Sequence, residues 1–256
     1  MSIRKGLLAS MGAAVAALSM ASTASAVPPP RFSDCPRSSI SVNGGTCVDI
    51  QSTGGHLTIK GFQVPIGESL EIRGGVGFTA TGTQFYGATG TNGFFARPIE
   101  VPGGLLGIDF PIPGNRVTAT ARLVGPASAI NVDLNTFSVS LPIKLELRNP
   151  LIGPLCQIAS SSNPVRLSLI IGTTSPPPPN RPISGAFGSV VVPPDSSYVS
   201  FVRMVNVDNS FAIPGANSCG LGLHLIDALV NAKLGLPSAA GNNEMVVENN
   251  VSLQAP

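Results

Sequence analysis

The sequence predicts a mainly β protein, an antiparallel β-sandwich or barrel-like fold with one short C-terminal helix, and three observations carry that prediction. The first is the run from Phe137 to Leu147, where Phe137, Val139, Leu141, Ile143, Leu145 and Leu147 alternate with Ser138, Ser140, Pro142, Lys144 and Glu146. A period of two held that long puts one apolar row on the buried face of a strand, and no helix face can gather it. The second is repetition: further alternating runs are separated by Gly and Pro turns, the punctuation of a sandwich or barrel and not of βαβ units. The third is an even set of cysteines behind an export-type leader, which suits a loop-rich extracellular β domain.

The leader is read in residues 1–26. Arg4 and Lys5 make a short basic start, Gly6 to about Leu18 an apolar run, and Ala24-Ser25-Ala26 a small-residue cleavage site. The apolar run is short for a membrane span, no later stretch is long enough for one, and no cysteine sits at the cleavage site to take a lipid anchor. Residues 27–256 then form a single secreted β-rich domain. Of the 15 Lys and Arg, two belong to the leader, which leaves 13 against 13 Asp and Glu. A neutral mature chain argues against nucleic acid or anionic headgroups as main partners. Charged residues make up only 11% of the sequence, so the surface is unusually apolar, which points to self-association, contact with envelope lipid or a greasy pocket.

Taken in order, Pro28-Pro29-Pro30 is extended. His56 to Val64 alternates and then changes phase beside Gly61, which predicts a β-bulge there. Leu70 and Ile72 start the next strand, and the Gly- and Thr-rich segment from Gly74 to Gly93 reads as hairpins anchored by Phe78, Phe85 and Tyr86. Val101-Pro102-Gly103-Gly104 is a tight turn followed by Leu105, Leu106, Ile108 and Phe110. Val117–Leu123 and Ile130–Leu134 alternate as strands. Pro142 cannot donate to a ladder, so the best strand is expected at an edge or with a bulge. Val165, Leu167 and Leu169 make the next strand. Residues 172–182, GTTSPPPPNRP, read as a stiff polyproline strap within the domain, with a docking motif as the other reading. Strand material follows at Ala186–Val192 and Tyr198–Val205. The one helix begins after Pro214-Gly215-Ala216, with Asn217 or Ser218 as cap, Leu223, Ile226, Val230 and Leu234 on one face, and Gly235 just past its end. Met245 to Leu253 alternates weakly and is expected as a final edge strand.

The cysteines Cys35, Cys47, Cys156 and Cys219 allow three pairings. Cys35–Cys47 with Cys156–Cys219 is preferred, because the first closes a Ser/Gly-rich loop and the second ties the central strands to a late segment. With no C-x-x-C and two His, a zinc site has little to build on.

Catalytic signals are sparse. Ala216-Asn217-Ser218-Cys219-Gly220 resembles a nucleophile elbow, but an elbow joins strand to helix in a parallel sheet. His224 and Asp227 could complete a triad with Ser218, or form a polar pair on an amphipathic helix, the preferred reading. Glu68 and Glu71 are the nearest carboxylate pair and sit in a turn setting. The absence of Trp lowers a sugar-binding platform, and no phosphate loop, dinucleotide fingerprint or metal-spaced His cluster is found, so no cofactor, metal or catalytic residue is assigned.

The segments VPGGLLG (101–107), NPLIGPLCQI (149–158), TSPPPPNRPISG (174–185), IPGANSCG (213–220) and GLPSAAGNN (235–243) resemble a family of uncharacterised exported proteins from actinobacteria. The resemblance spans most of the mature chain and implies a secreted, extracellular or envelope-linked life, with no activity to carry over. The expected function is that of a non-enzymatic secreted cell-envelope or extracellular β-protein binding an apolar small molecule, a lipid or a protein partner. An esterase-like hydrolase using Ser218 and His224, and a self-associating structural envelope protein, are the alternatives.

Overall fold

Side-chain alternation decides where each strand lies in this computed structural model, which describes residues 29–41, 44–80, 82–105, 113–195, 197–220 and 224–256, the side chains of His224 and Leu225 excepted. The expected leader, Leu106, Ile108 and Phe110, and Leu223 lie outside the described residues. In chain order the strands are β1 (Thr46–Ile59), β2 (Phe62–Pro65), β3 (Leu70–Thr79), β4 (Gly82–Gly87), β5 (Phe94–Ala96), β6 (Ile99–Glu100), β7 (Thr118–Leu123), β8 (Asn131–Asp133), β9 (Ser138–Arg148), β10 (Gln157–Ile158), β11 (Val165–Leu169), β12 (Ser189–Val191), β13 (Val199–Asp208), β14 (Ala216–Asn217) and β15 (Asn243–Gln254). The helices are α1 (Arg37–Ile40) and α2 (His224–Leu234).

Among the described residues these strands form two antiparallel sheets stacked as a sandwich, not a closed barrel. Sheet one has eight strands in the order β12-β13-β15-β1-β3-β4, with β2 added to β1 and β5 to β3; sheet two has seven in the order β14-β10-β9-β7-β6, with β11 and β8 also on β9. The sheets are tied along one side, where Asp208 of β13 accepts the Ser168 amide of β11 at 2.7 Å and Ile170 pairs with Val207.

Three expectations change. The phase shift beside Gly61 is a two-residue hairpin turn between β1 and β2, with φ of 47° at Lys60 and 90° at Gly61, positive at both centres as the twist of a tight hairpin requires. The bulge lies earlier, where the pairing of β1 with β15 slips between Ser52 and Gly54. Second, β9 is the central strand of sheet two and not an edge, paired with β11, β7 and β8. It tolerates Pro142 because that residue falls between Ser140, the last partner of β8, and Ile143, the first partner of β7, where only its carbonyl is used, by the Val124 amide at 2.9 Å. Third, β15 lies inside sheet one between β1 and β13. Its alternation looked weak because polar Asn249, Asn250 and Ser252 are all buried.

The disulfides join Cys35 to Cys47 and Cys156 to Cys219. The first fastens the α1 segment to the outer face of sheet one, where Phe32, Cys35, Ile40 and Cys47 form a small second cluster. That approach needs glycine: a Cβ on Gly45 would come within 2.6 Å of the Val76 carbonyl and 2.8 Å of the Ile40 carbonyl. The polyproline segment packs on the turn at Gly241, with the Asn180 side-chain amide donating to the carbonyls of Asn209 and Asn243.

Candidate functional site

The inner faces of the two sheets join in one apolar core but do not close on each other along its whole length. Between them lies a cavity of about 630 Å³, in the middle of the ~300–1,000 Å³ range of small-molecule sites. From sheet two it is lined by Val139, Leu141, Ile143, Leu145 and Leu147 of β9, the row that the sequence marks most strongly, with Ala119 and Ala121 of β7 and Val165, Leu167 and Leu169 of β11. Sheet one supplies Ile50, Leu57 and Ile59 of β1, Leu70 and Ile72 of β3, and Met245, Val247 and Val251 of β15. Because the lining follows β9 from Val139 to Leu147, the cavity extends for about 26 Å at ~3.3 Å per residue.

One side is covered by α2. Ile226, Val230 and Leu234 turn toward the cavity at helical spacing, and Gly235 ends the helix with φ of 66°. Leu229 and Leu151 also line the cavity yet are 58% and 64% exposed, which marks the mouth. Lys233 stands there too, donating to the Gly104 carbonyl, and partial burial pulls its ammonium below the ordinary lysine range. Asn217 does not cap α2. It lies in β14 and donates to the Ala159 carbonyl at 2.9 Å.

Toward the start of β9 the lining changes. Phe137 packs edge-on against Phe201 and Phe187, with ring centroids 4.7 and 5.1 Å apart. Beside them a row of polar side chains crosses sheet one: Asn206, Asn249, Ser52 and Ser69 all line the cavity and all are buried. Sequence reading missed this row. The available signal was phase, since Asn249 follows Met245 and Val247 at even steps and so belongs on the inward face.

The residues considered for catalysis are not gathered around this space. Ser218 is exposed, with φ of 61° and its hydroxyl 3.3 Å from the Asn217 side-chain oxygen. Asp227 accepts the Cys219 amide at 2.8 Å, and the side chain of His224 lies outside the described residues. His56 is 3.2 Å from Glu244, on neighbouring strands. Glu68 is exposed in a turn, whereas Glu71 pairs with Arg31 and Arg73 at 3.4 and 3.5 Å. In that charged group on sheet one, burial pushes the Asp49 carboxyl up to about 6, against the amide of Arg31 and the side chain of Gln51 that hold it down. Among the described residues no cluster of His, Cys, Asp or Glu could hold a metal ion, and no helix is long and apolar enough to cross a membrane. No family model, no curated protein and no solved structure matches the chain.

Proposed function

We propose that this chain is a non-enzymatic, exported binding protein that holds an apolar small molecule or lipid between its two sheets. The observation that carries the reading is the aliphatic cavity of about 630 Å³ along β9. A sandwich of this size ordinarily closes its core to near-crystalline packing, and leaving such a volume open forfeits contacts that a bound apolar body would restore. The two disulfides fit an oxidising compartment, and the exposed Leu151, Leu155 and Leu229 suit exchange with a lipid surface.

The test is to fill the space. Ala121→Phe on β7 projects a ring into the cavity. It is expected to abolish binding of an apolar fluorescent dye while leaving the melting temperature equal or higher. Undiminished dye binding by the folded variant would refute the reading.

Self-association is the second reading, favoured by β12. This strand closes one end of sheet one with Val190 and Val191 56% and 48% exposed, an edge open to pairing with another chain. Sedimentation of the wild type and Val190→Lys decides it: a concentration-dependent dimer lost in the variant supports self-association, and monomers throughout exclude it.

A further inference from the structure

The two ends of the cavity carry opposite charge. At the Phe137 end β8 pairs with the start of β9, Asp133 opposite Ser138. Asp133 lines the cavity there, and the Asn135 amide on its Oδ1 at 2.8 Å holds the carboxyl below its ordinary range, so it stays ionised at neutral pH. At the Leu147 end stands Lys233 of α2. Strand register fixes its place: Leu147 pairs with Ala119, the Val117 carbonyl just before β7 accepts the Val101 amide, and the turn after Val101 brings the Gly104 carbonyl to the Lys233 ammonium.

Exposure separates the ends as well. Among the described lining residues four are exposed, Arg97, Leu151, Leu229 and Lys233, whereas Leu134, Phe137, Ser138 and Asn206 at the far end are buried or half-buried. Leu151 follows the end of β9 and Leu229 precedes Lys233 by one helical turn, so the cavity opens at the Leu147 end, beside a cation. Of the three ammonium hydrogens of Lys233, Gly104 takes one and two are left to donate. The acids nearby are engaged elsewhere: Glu100 pairs with Arg116 at 3.3 Å, and Asp227 accepts the Cys219 amide. Lys233 thus gives up part of its water with no counter-charge among the described residues. Arg97, the other exposed cation, lies on the flank of the cavity, where its amide donates to the Ser69 carbonyl and Glu68 and Glu71 share its surroundings.

We infer that the compound held between the sheets is a long-chain amphiphile with an anionic head, a carboxylate or a phosphate, its chain running along β9 toward Phe137 and its head at the mouth on the Lys233 ammonium. This inference rests on the binding reading above. The lining from Val139 to Leu147, ~26 Å long, takes an extended chain of about 20 carbons at ~1.25 Å each, the rise set by a C–C bond of about 1.52 Å and an angle near ~111°. Lying the other way round, the head would meet the Asp133 carboxylate among buried side chains, where like charge and lost hydration both act against it.

Dodecanoate, dodecyl phosphate and dodecanol, competed at neutral pH against an apolar dye, test the placement in the wild type and in Lys233→Gln, Lys233→Arg and Arg97→Gln, all substitutions of exposed side chains. Whichever anion binds the wild type more tightly names the head. Lys233→Gln should weaken that anion about tenfold, the value of one hydrogen bond to a charged group, and leave dodecanol unchanged. Lys233→Arg keeps the charge and should hold the anion within about twofold of the wild type, and Arg97→Gln should change neither compound. Equal losses for the anion and dodecanol in Lys233→Gln mark a lysine that only supports the fold of the mouth and overturn the inference. So does an anion unmoved by Lys233→Gln, or one weakened as much by Arg97→Gln. If the dye itself does not bind the wild type, the binding reading fails first.

Discussion

Replacing the Cys156–Cys219 disulfide by alanines tests how the cavity is kept covered. Both residues are buried, beside the two-residue strands β10 and β14. Those strands share only the pairs Gln157–Asn217 and Ile158–Ala216. The same junction anchors α2, through the Cys219 amide on Asp227 and the Ala216 amide on Asn231. The disulfide closes a loop with a sequence separation of 63, for which chain entropy gives about 4 kcal/mol. Cys35–Cys47, with a separation of 12, is worth about 3 kcal/mol on the same basis. Urea unfolding of Cys156→Ala/Cys219→Ala and of Cys35→Ala/Cys47→Ala, with unchanged m-values, measures both losses. Because α2 lines the cavity and α1 lies on the outer face of sheet one, apolar dye affinity should fall in the first variant and hold in the second. A loss below about 1 kcal/mol for Cys156–Cys219, or dye binding that depends on Cys35–Cys47 instead, would refute this reasoning.

Asp49 predicts an inverted pH dependence. Its folded-state carboxyl lies at about 6 against an ordinary 3.8, so the folded state holds the proton more tightly. The stabilisation is complete below the unfolded value and is lost as pH rises through the folded one, about 3 kcal/mol in all. Thermal melts between pH 4 and 7 should show it, and Asp49→Asn should flatten that slope. Gly55→Ala and Gly61→Ala separate backbone strain from collision: both have positive φ, 104° and 90°, but a Cβ on Gly55 would lie 2.1 Å from the Val246 carbonyl and one on Gly61 meets nothing within 4 Å. Urea unfolding should show a loss of about 1 kcal/mol for Gly61→Ala and more than about 2 for Gly55→Ala; equal losses would contradict the close approach.

How legible this was depended on whether a residue's polarity agreed with its position. The β9 row is apolar inward and polar outward, so its alternation could be read directly and its residues do line the cavity. In α2 the spacing of Ile226, Val230 and Leu234 and the stop at Gly235 were equally plain. Asn249, Ser52 and Ser69 break the rule, being polar and inward, and any reading that assigns polar residues to solvent hides them. Pro142 misled for a related reason: a missing donor argues for an edge only when a neighbour faces it, and here the neighbour changes from β8 to β7 at that point. Nor does alternation reveal whether two apolar faces touch. The separation that leaves the cavity is a property of the stacked sheets.

The most direct measurement is a native mass spectrum of the purified protein, before and after extraction with apolar solvent. An excess mass that extraction removes, recovered as a compound with a long apolar body, is the predicted result. A spectrum at the bare polypeptide mass in both samples, together with no uptake of added apolar compounds, would contradict it.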